Sequence, residues 1–166
     1  TSGARDETST HAASSGLTGA PSPMAGPQKD SLADGEPGRR RDLAAGLAHY
    51  RAREYALATP LLSRALVSAT SSSERAMTLL YLARAERALG HCERAINSYA
   101  TLVRAHATQA EALAALREGV ACYDQMAEPA LAQHLLEQAT QSPELAPSAR
   151  RLLSQRASGG ARKPRK

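Results

Sequence analysis

The side chains best suited to acid–base chemistry in this chain are its histidines, because imidazole titrates near neutral pH. His49, His91, His106 and His134 lie far apart in the sequence, and no GxSxG, HExxH, P-loop or GxGxxG motif accompanies them. A catalytic site needs a base or nucleophile with further groups that converge on it. The sequence gives no sign of such a site, so it predicts a non-enzymatic protein without a cofactor, whose histidines are solvated or cap helices.

The two cysteines, Cys92 and Cys122, are thirty residues apart and form no CxxC pair. A structural zinc site needs about four ligands at characteristic spacings, and the sequence does not supply them. We expect both cysteines to be small buried residues of a helical core in preference to a disulfide, and the redox compartment stays open. For Glu86 we expect a satisfied polar contact, with His49 as the candidate partner.

Composition narrows the fold class to helices that pack closely. The 166 residues contain neither Phe nor Trp and only five Tyr, so alanine and leucine must build the core. This favours an all-α fold over a β-sandwich, in which β-branched and aromatic residues dominate. No apolar run approaches the twenty residues that a transmembrane helix needs, so no span is expected in this chain.

Three segments differ in composition. Residues 1–38 are rich in Ser, Thr, Ala, Gly and Pro without a helical period, which predicts a disordered linker. Residues 39–156 keep a helical period and form the predicted folded domain. Residues 157–166, "ASGGARKPRK", carry four basic groups and no acidic one, and we expect a disordered basic tail.

The middle segment repeats with a period of 37 residues. Ala58, Ala95 and Ala132 share this spacing, and so do the larger residues of the series Leu62, Tyr99 and Leu136. A fixed period of this length indicates stacked supersecondary units. Each unit holds two helical patterns, so we expect three antiparallel helix hairpins and a closing helix, which "PSARRLLSQR" forms. The hydroxyl-x-x-carboxylate stretches "SSSE" and "TQAE" predict capping boxes before the second and third units.

Residues 39–140 resemble the tetratricopeptide repeat (TPR) family. The resemblance is carried by "LYLARAERALGHCERAINSY", with the Leu82-Ala83 pair, the turn residue Gly90, and Ala95 followed by Tyr99. The large aromatic residue usual in the family's first helix is missing, and the family's period is 34 residues. The resemblance implies a TPR-like α-solenoid of three hairpins plus a C-terminal capping helix, with a protein-binding groove formed by the first helices.

The period also predicts which side chains line this groove. Three phases of the first helices fall on one side and form a grid that is apolar at the first unit and basic further on. The candidate groove residues are Leu43, Leu47, Tyr50, Arg51, Leu80, Arg84, Arg87, Arg117, Ala121 and Asp124. The Lys and Asn residues with which part of the family clamps a chaperone carboxyl terminus are absent, because the corresponding positions hold Leu43, Leu47, Tyr81, Ala114 and Glu118. We therefore expect a protein partner that offers a segment with acidic and apolar residues, and no small-molecule substrate.

Two functions compete on this evidence. The preferred hypothesis is a protein–protein interaction module, a repeat scaffold or adaptor within a larger bacterial protein. The alternative is a polyanion binder that uses the basic tail and the arginine face on nucleic acid or anionic lipid. Nucleic acid is disfavoured because four tail charges give only a modest, salt-sensitive attraction and no aromatic residues are interleaved with them. The linker-plus-repeat layout resembles envelope-side bacterial proteins, although the sequence does not identify the compartment.

Overall fold

The computed structural model describes residues 35–159, so the predicted linker up to residue 34 and the tail from residue 160 lie outside the described residues. Within 35–159 the chain forms seven helices and no strand. The helices are α1 (Gly35–Arg51), α2 (Tyr55–Ser68), α3 (Ser72–Ala88), α4 (Cys92–Ala105), α5 (Glu111–Gln125), α6 (Pro129–Ala139) and α7 (Ala146–Gly159). The predicted all-α fold class is confirmed. The first helix begins four residues before the predicted boundary at residue 39, and the last ends three residues after 156.

The helix boundaries keep the period of 37 residues. The second helix of each hairpin begins at Tyr55, Cys92 and Pro129, each 37 residues after the one before. The first helices end with the same spacing, at Arg51, Ala88 and Gln125. Consecutive helices pack as hairpins, and α1, α3 and α5 also contact one another in series. The arrangement is therefore solenoid-like, as the repeat predicts.

The turn inside each hairpin has the same backbone conformation. Arg53, Gly90 and Ala127 all have positive φ, at 63°, 83° and 58°, and they are again 37 residues apart. The next residue in each turn donates its backbone N–H to a carbonyl five residues earlier, as in His91 to Glu86 at 2.9 Å. A left-handed residue ends a helix by turning the chain away from its axis. The same turn thus connects the two helices of each hairpin, and only the central turn has a glycine at the residue with positive φ.

Alanines let the helices of each hairpin approach closely. Ala58, Ala95 and Ala132 are fully buried, and they share one register position. In the first hairpin the close approach falls on α1, where a Cβ on Gly46 would lie 2.9 Å from the side chain of Leu62. Leu62 is itself fully buried, as are Tyr99 and Leu136 in the same register. Small residues on one helix thus face large ones on the other, which is close packing of an interdigitated core.

Cys92 and Cys122 form a disulfide, and the expectation of two free thiols is wrong. Their Cα atoms are 5.3 Å apart, within the range that a disulfide requires. Cys92 opens α4 and Cys122 lies on α5, so the bond joins the second hairpin to the third. Thirty residues of sequence separation did not reveal that the fold brings the two together. The disulfide is thus a covalent link between neighbouring units.

Of the two predicted N-terminal helix caps, one is confirmed and one is wrong. Ser71 caps α3 by accepting a hydrogen bond from the N–H of Glu74 at 3.1 Å, as predicted. The second predicted cap is wrong, because α5 begins at Glu111 after Ala110 and has no side-chain cap. Pro60 lies inside α2, where it cannot donate to the carbonyl of the preceding turn. Beside it the hydroxyl of Thr59 donates to the carbonyl of Tyr55 at 2.9 Å.

Candidate functional site

The accessible surface of α3 and α5 departs from the predicted grid by one residue at two positions. Leu80, predicted to line the groove, is only 6% exposed and belongs to the core, whereas the adjacent Tyr81 reaches the surface. The same shift on α5 makes Glu118 rather than Arg117 the neighbour of the α3 side chains. The surface at the centre of α1, α3 and α5 is therefore built around a carboxylate that the prediction did not include.

Glu118 holds this surface together through two hydrogen-bond donors and one longer ion pair. Arg84 on α3 donates from Nε at 3.0 Å and from Nη2 at 2.6 Å to its carboxylate. Tyr99 on α4 donates its hydroxyl at 2.9 Å, and Nη1 of Arg87 lies 3.6 Å from the second oxygen. A guanidinium that presents two parallel N–H groups to a carboxylate makes a strong and oriented pair. The cluster therefore fixes three helices relative to one another.

The electrostatics of the cluster follow from burial and charge. Burial disfavours the charged carboxyl of Glu118, but the hydrogen bonds from Arg84 and Tyr99 outweigh it and lower its pKa. The pKa of Tyr99 is raised, because its hydroxyl is desolvated and faces the negative carboxylate. The pKa of Arg84 is also raised, through its hydrogen bonds to Glu118. At neutral pH the cluster thus holds two guanidinium charges against one carboxylate.

An aromatic group adjoins the cluster on the side of the first hairpin. The ring of Tyr50 makes edge contacts with Tyr55 and Tyr81, with centroids 5.5 and 5.0 Å away. The guanidinium of Arg84 lies 5.9 Å from the ring centroid of Tyr81, a cation–π distance. Burial raises the pKa of Tyr50. Three of the five tyrosines therefore meet where the arginines begin.

Between these groups lies a surface depression of about 420 Å³. Its lining residues are Tyr50, Arg84, Arg87, Ala88 and Glu118. Arg84 is committed to Glu118, whereas Arg87 is 43% exposed and makes only the longer contact. The depression thus offers one comparatively available cation beside an aromatic ring.

The other predicted groove residues do not join this depression. Leu43 and Leu47 pack, partly buried, against the cluster of Ala58, Leu62 and Leu82. Arg51 is exposed and lines none of the depressions described.

Two predicted groove residues on α5 face α7 instead. Arg117 lines a separate depression of about 290 Å³ together with Arg151 and Gln155 of α7. Asp124 forms a two-fold ion pair with Arg156, with N–O distances of 2.7 and 2.8 Å. Ala121, between them on α5, is exposed. The closing helix therefore engages this end of the predicted groove, and the basic strip is not continuous.

Glu86 is buried, and the expectation that it contacts His49 is wrong. Glu86 accepts from Arg94 at 2.7 Å and pairs with His91 at 3.2 Å, both in its own unit. His49 pairs instead with Glu54 at 2.6 Å. The two pairs occupy the same register positions with acid and base exchanged. Each ties the end of a first helix to the start of its partner, so these histidines have a structural explanation.

The repeat grid left out Glu118 and Tyr81, which only the family resemblance placed at groove positions. The signal available was the offset of 34 residues between Arg84 and Glu118, which is three residues less than the repeat of 37. Opposite charges at that offset on successive first helices would have indicated contact between neighbouring units. The predicted phase instead placed Leu80 in the groove, although it is buried, and Arg117 there, although it faces α7.

Two further observations concern the described part of the chain. Residues 35–159 contain no group of three or more His, Cys, Asp or Glu side chains arranged to hold a metal ion. No helix in this range is long and apolar enough to cross a membrane.

Comparison with models of protein families, with curated proteins and with solved structures gave no match for this chain.

Proposed function

We propose that this chain is a non-enzymatic protein-interaction module, a TPR-like scaffold that binds a peptide segment on the surface of α1, α3 and α5. The observation that carries the proposal is the depression in which Tyr50 and Arg87 lie beside the paired Arg84 and Glu118. Stacked helical hairpins characteristically present extended surfaces of this kind for binding. The disulfide between Cys92 and Cys122 supports the location of this protein in an oxidising compartment such as a bacterial cell envelope.

The depression favours a ligand with one acidic and one apolar residue close together. Arg84 and Arg87 carry two positive charges against the one negative charge of Glu118, so the surplus suits a single carboxylate. Tyr50 supplies a rigid ring with a polar tip, a combination that is enriched where interfaces bind most strongly. Leu43 and Leu47 extend the apolar part along α1.

Arg87 is the residue to change, because Arg84 has a structural role. Reversing the charge of Arg84 would place two carboxylates against each other in a partly buried site and disturb the packing of α3 on α5. Arg87 is more exposed and less committed, so Arg87→Glu should leave the helix content and unfolding temperature near those of the parent. The binding effect can then be separated from an effect on folding.

The test uses peptides selected on the immobilised chain from a random display library. We expect enrichment of sequences that combine Asp or Glu with large apolar residues. Arg87→Glu should weaken binding of an enriched peptide about fivefold, as a lost partly exposed ion pair with added repulsion implies. Tyr50→Ala should also weaken binding but leave its salt dependence unchanged, because it removes contact area rather than charge.

Arg150→Glu is the matched control. It makes the same charge change on α7, on the side of that helix away from Arg117, and Arg150 is exposed. Equal loss of affinity in Arg87→Glu and Arg150→Glu would mean that only overall charge matters. Enrichment of basic peptides, or full binding by Arg87→Glu, would refute the proposed surface.

The polyanion alternative is tested by titrating DNA or anionic vesicles with salt, using chains with and without residues 157–166. A steep salt dependence that disappears with the tail would favour this alternative. The peptide proposal predicts only weak polyanion binding in both chains.

A further inference from the structure

The end of the helical stack presents a second surface, distinct from that of Tyr50 and Arg87. A depression of about 830 Å³ lies between the beginning of α6 and the end of α7. Its lining is largely apolar and small, with two polar side chains. The lining residues are Pro129, Ala130, Gln133, Leu153, Arg156 and Ala157.

The repeat register explains why this surface is open. The helix α7 occupies the position of a first helix in a fourth unit, because its start at Ala146 continues the spacing of the repeat. The residues Leu79, Leu116 and Leu153 share one register position. Leu79 and Leu116 are 5% and 0% exposed, whereas Leu153 is only partly buried. Among the described residues no second helix follows α7, and Leu153 lacks the cover that its equivalents have.

The first three units show what fits such a position. In the first unit the space beside Gly46 is filled by Leu62 of the following second helix. The equivalents of Gly46 are Ala83, Val120 and Ala157, and Ala157 is exposed. The fourth unit thus has a small residue, Ala157, at the position where Gly46 contacts Leu62 in the first unit, and no described side chain covers it.

A second register position at which helices meet is that of Gly119. In the third unit a Cβ on Gly119 would lie 3.1 Å from the side chain of Leu135 and 3.2 Å from Cβ of Tyr99, so α4, α5 and α6 meet at this point. The equivalent of Gly119 in α7 is Arg156, whose guanidinium is directed to Asp124 at 2.7 Å. Arg156 also lines the depression, so a helix docked there would contact this side chain beside the small residue Ala157.

We propose that this α6–α7 groove binds an amphipathic helix of a partner protein, which completes the fourth hairpin in trans. The partner helix needs small and leucine residues at the spacing of Ala132, Leu135, Leu136 and Ala139, the buried face of α6, a helix that packs on α5 and α4. Docking of an apolar helix face into a groove is a recurrent mode of recognition. Here the groove continues the interface that the chain already forms three times within itself.

A second copy of the chain does not supply the missing helix by end-to-end stacking. The described stack begins with a first helix, α1, and ends with a first helix, α7. Placing one stack on another would therefore bring two first helices together and leave the position of the second helix unfilled. A separate helix presented by another protein satisfies the register.

The test uses the full chain and a synthetic helix that copies α6. The probe is a fluorescent peptide with the sequence of residues 128–140, held helical by a lactam between Glu137 and a lysine introduced by Gln133→Lys, since a free peptide of this length is barely helical. We expect saturable binding, which Ala157→Glu weakens roughly tenfold or more because an unpaired charge enters an apolar contact. The exposed site of Ala157 keeps the substitution from disturbing the fold.

Two controls make the result specific. Gln155→Glu adds the same charge to α7, but Gln155 lines the depression with Arg117 on another side of the helix, so binding should be unchanged. A probe with scrambled sequence and the same lactam should not bind. Absence of saturable binding by the α6 probe, equal binding to Ala157→Glu, or concentration-dependent dimerisation that Ala157→Glu abolishes would each overturn the proposal.

Discussion

The hairpin turns allow a test of the repeat register through backbone conformation alone. Ala127 has φ of 58° and is exposed, at the register position where Gly90 has φ of 83°. Holding a residue with a Cβ in this region costs about 1–2 kcal/mol, whereas glycine adopts it without a steric penalty. Glycine also loses more chain entropy on folding, by about 0.5–1 kcal/mol. We therefore expect Ala127→Gly to stabilise the fold by about 0.5–1 kcal/mol.

The reverse substitution provides the opposite sign. Gly90→Ala should destabilise by a similar amount, although nothing lies within 4 Å of the added Cβ, because the strain comes from φ and not from a clash. Gly38 is the matched control: it lies inside α1, and nothing lies within 4 Å of its added Cβ either. Gly38→Ala should stabilise, since alanine is the better helix former.

Urea unfolding monitored by circular dichroism measures these differences, and thermal unfolding should show shifts of roughly 2–5 °C. The informative result is the contrast in sign between the two glycine-to-alanine substitutions. If Gly90→Ala stabilised the chain as Gly38→Ala does, or if Ala127→Gly destabilised it, the three turns would not share the left-handed conformation and the common register would be wrong.

Three further predictions concern the core and the cluster. Replacing both cysteines of the Cys92–Cys122 bond by alanine should destabilise by about 3–4 kcal/mol, the loop-closure value for thirty residues, and urea midpoints with and without reductant should bracket this loss. The pKa of Glu118 is lowered in the folded state, so the stability it contributes is complete above the unfolded value of 4.5 and is lost as pH falls through the folded value. Glu118→Gln should therefore make the free energy of unfolding depend less on pH in this acidic range. Ala95→Leu should overpack a fully buried site at a cost of roughly 1–3 kcal/mol in urea unfolding; unchanged stability would mean that Ala95 is not at the close contact.

The hairpins could be predicted because their determinants are local and recur. Ala95 and its equivalents mark close helix contacts, and Gly90 marks the turn, so the period of 37 residues gave the helix order and most boundaries. The left-handed turns at Arg53 and Ala127 had no such residue to announce them. Their conformation follows from the register rather than from residue type, and only comparison of equivalent positions would have indicated it.

The candidate site was less predictable because it depends on the rotation of each first helix. Successive residues of an α-helix are about 100° apart around its axis, so a phase error of one residue exchanges a buried side chain for a more exposed one. Leu80 and Tyr81 are exchanged in this way. The burial of Leu80 is decided by residues of other helices in its core cluster, which are distant in sequence, and periodicity within α3 does not contain that information.

The disulfide and the ion pairs share this origin. Cys92 meets Cys122, and Arg84 meets Glu118, because one unit stacks on the next at a particular angle and distance. The residue types alone did not indicate which cysteines, arginines and carboxylates contact one another. The stacking angle is a property of the whole interface, so contacts between units are the part of the structure that sequence patterns left open.

The ion pairs also bear on the choice between a peptide and a polyanion as ligand. A polyanion binder needs cations that carboxylates of the same chain do not already neutralise. Five arginines of the described region are instead paired with carboxylates: Arg64 with Asp42, Arg84 and Arg87 with Glu118, Arg94 with Glu86, and Arg156 with Asp124. The positive charge of these arginines is therefore partly neutralised within the stack. The surplus that remains beside Tyr50 is one charge, which matches a single carboxylate in a peptide better than a row of phosphates.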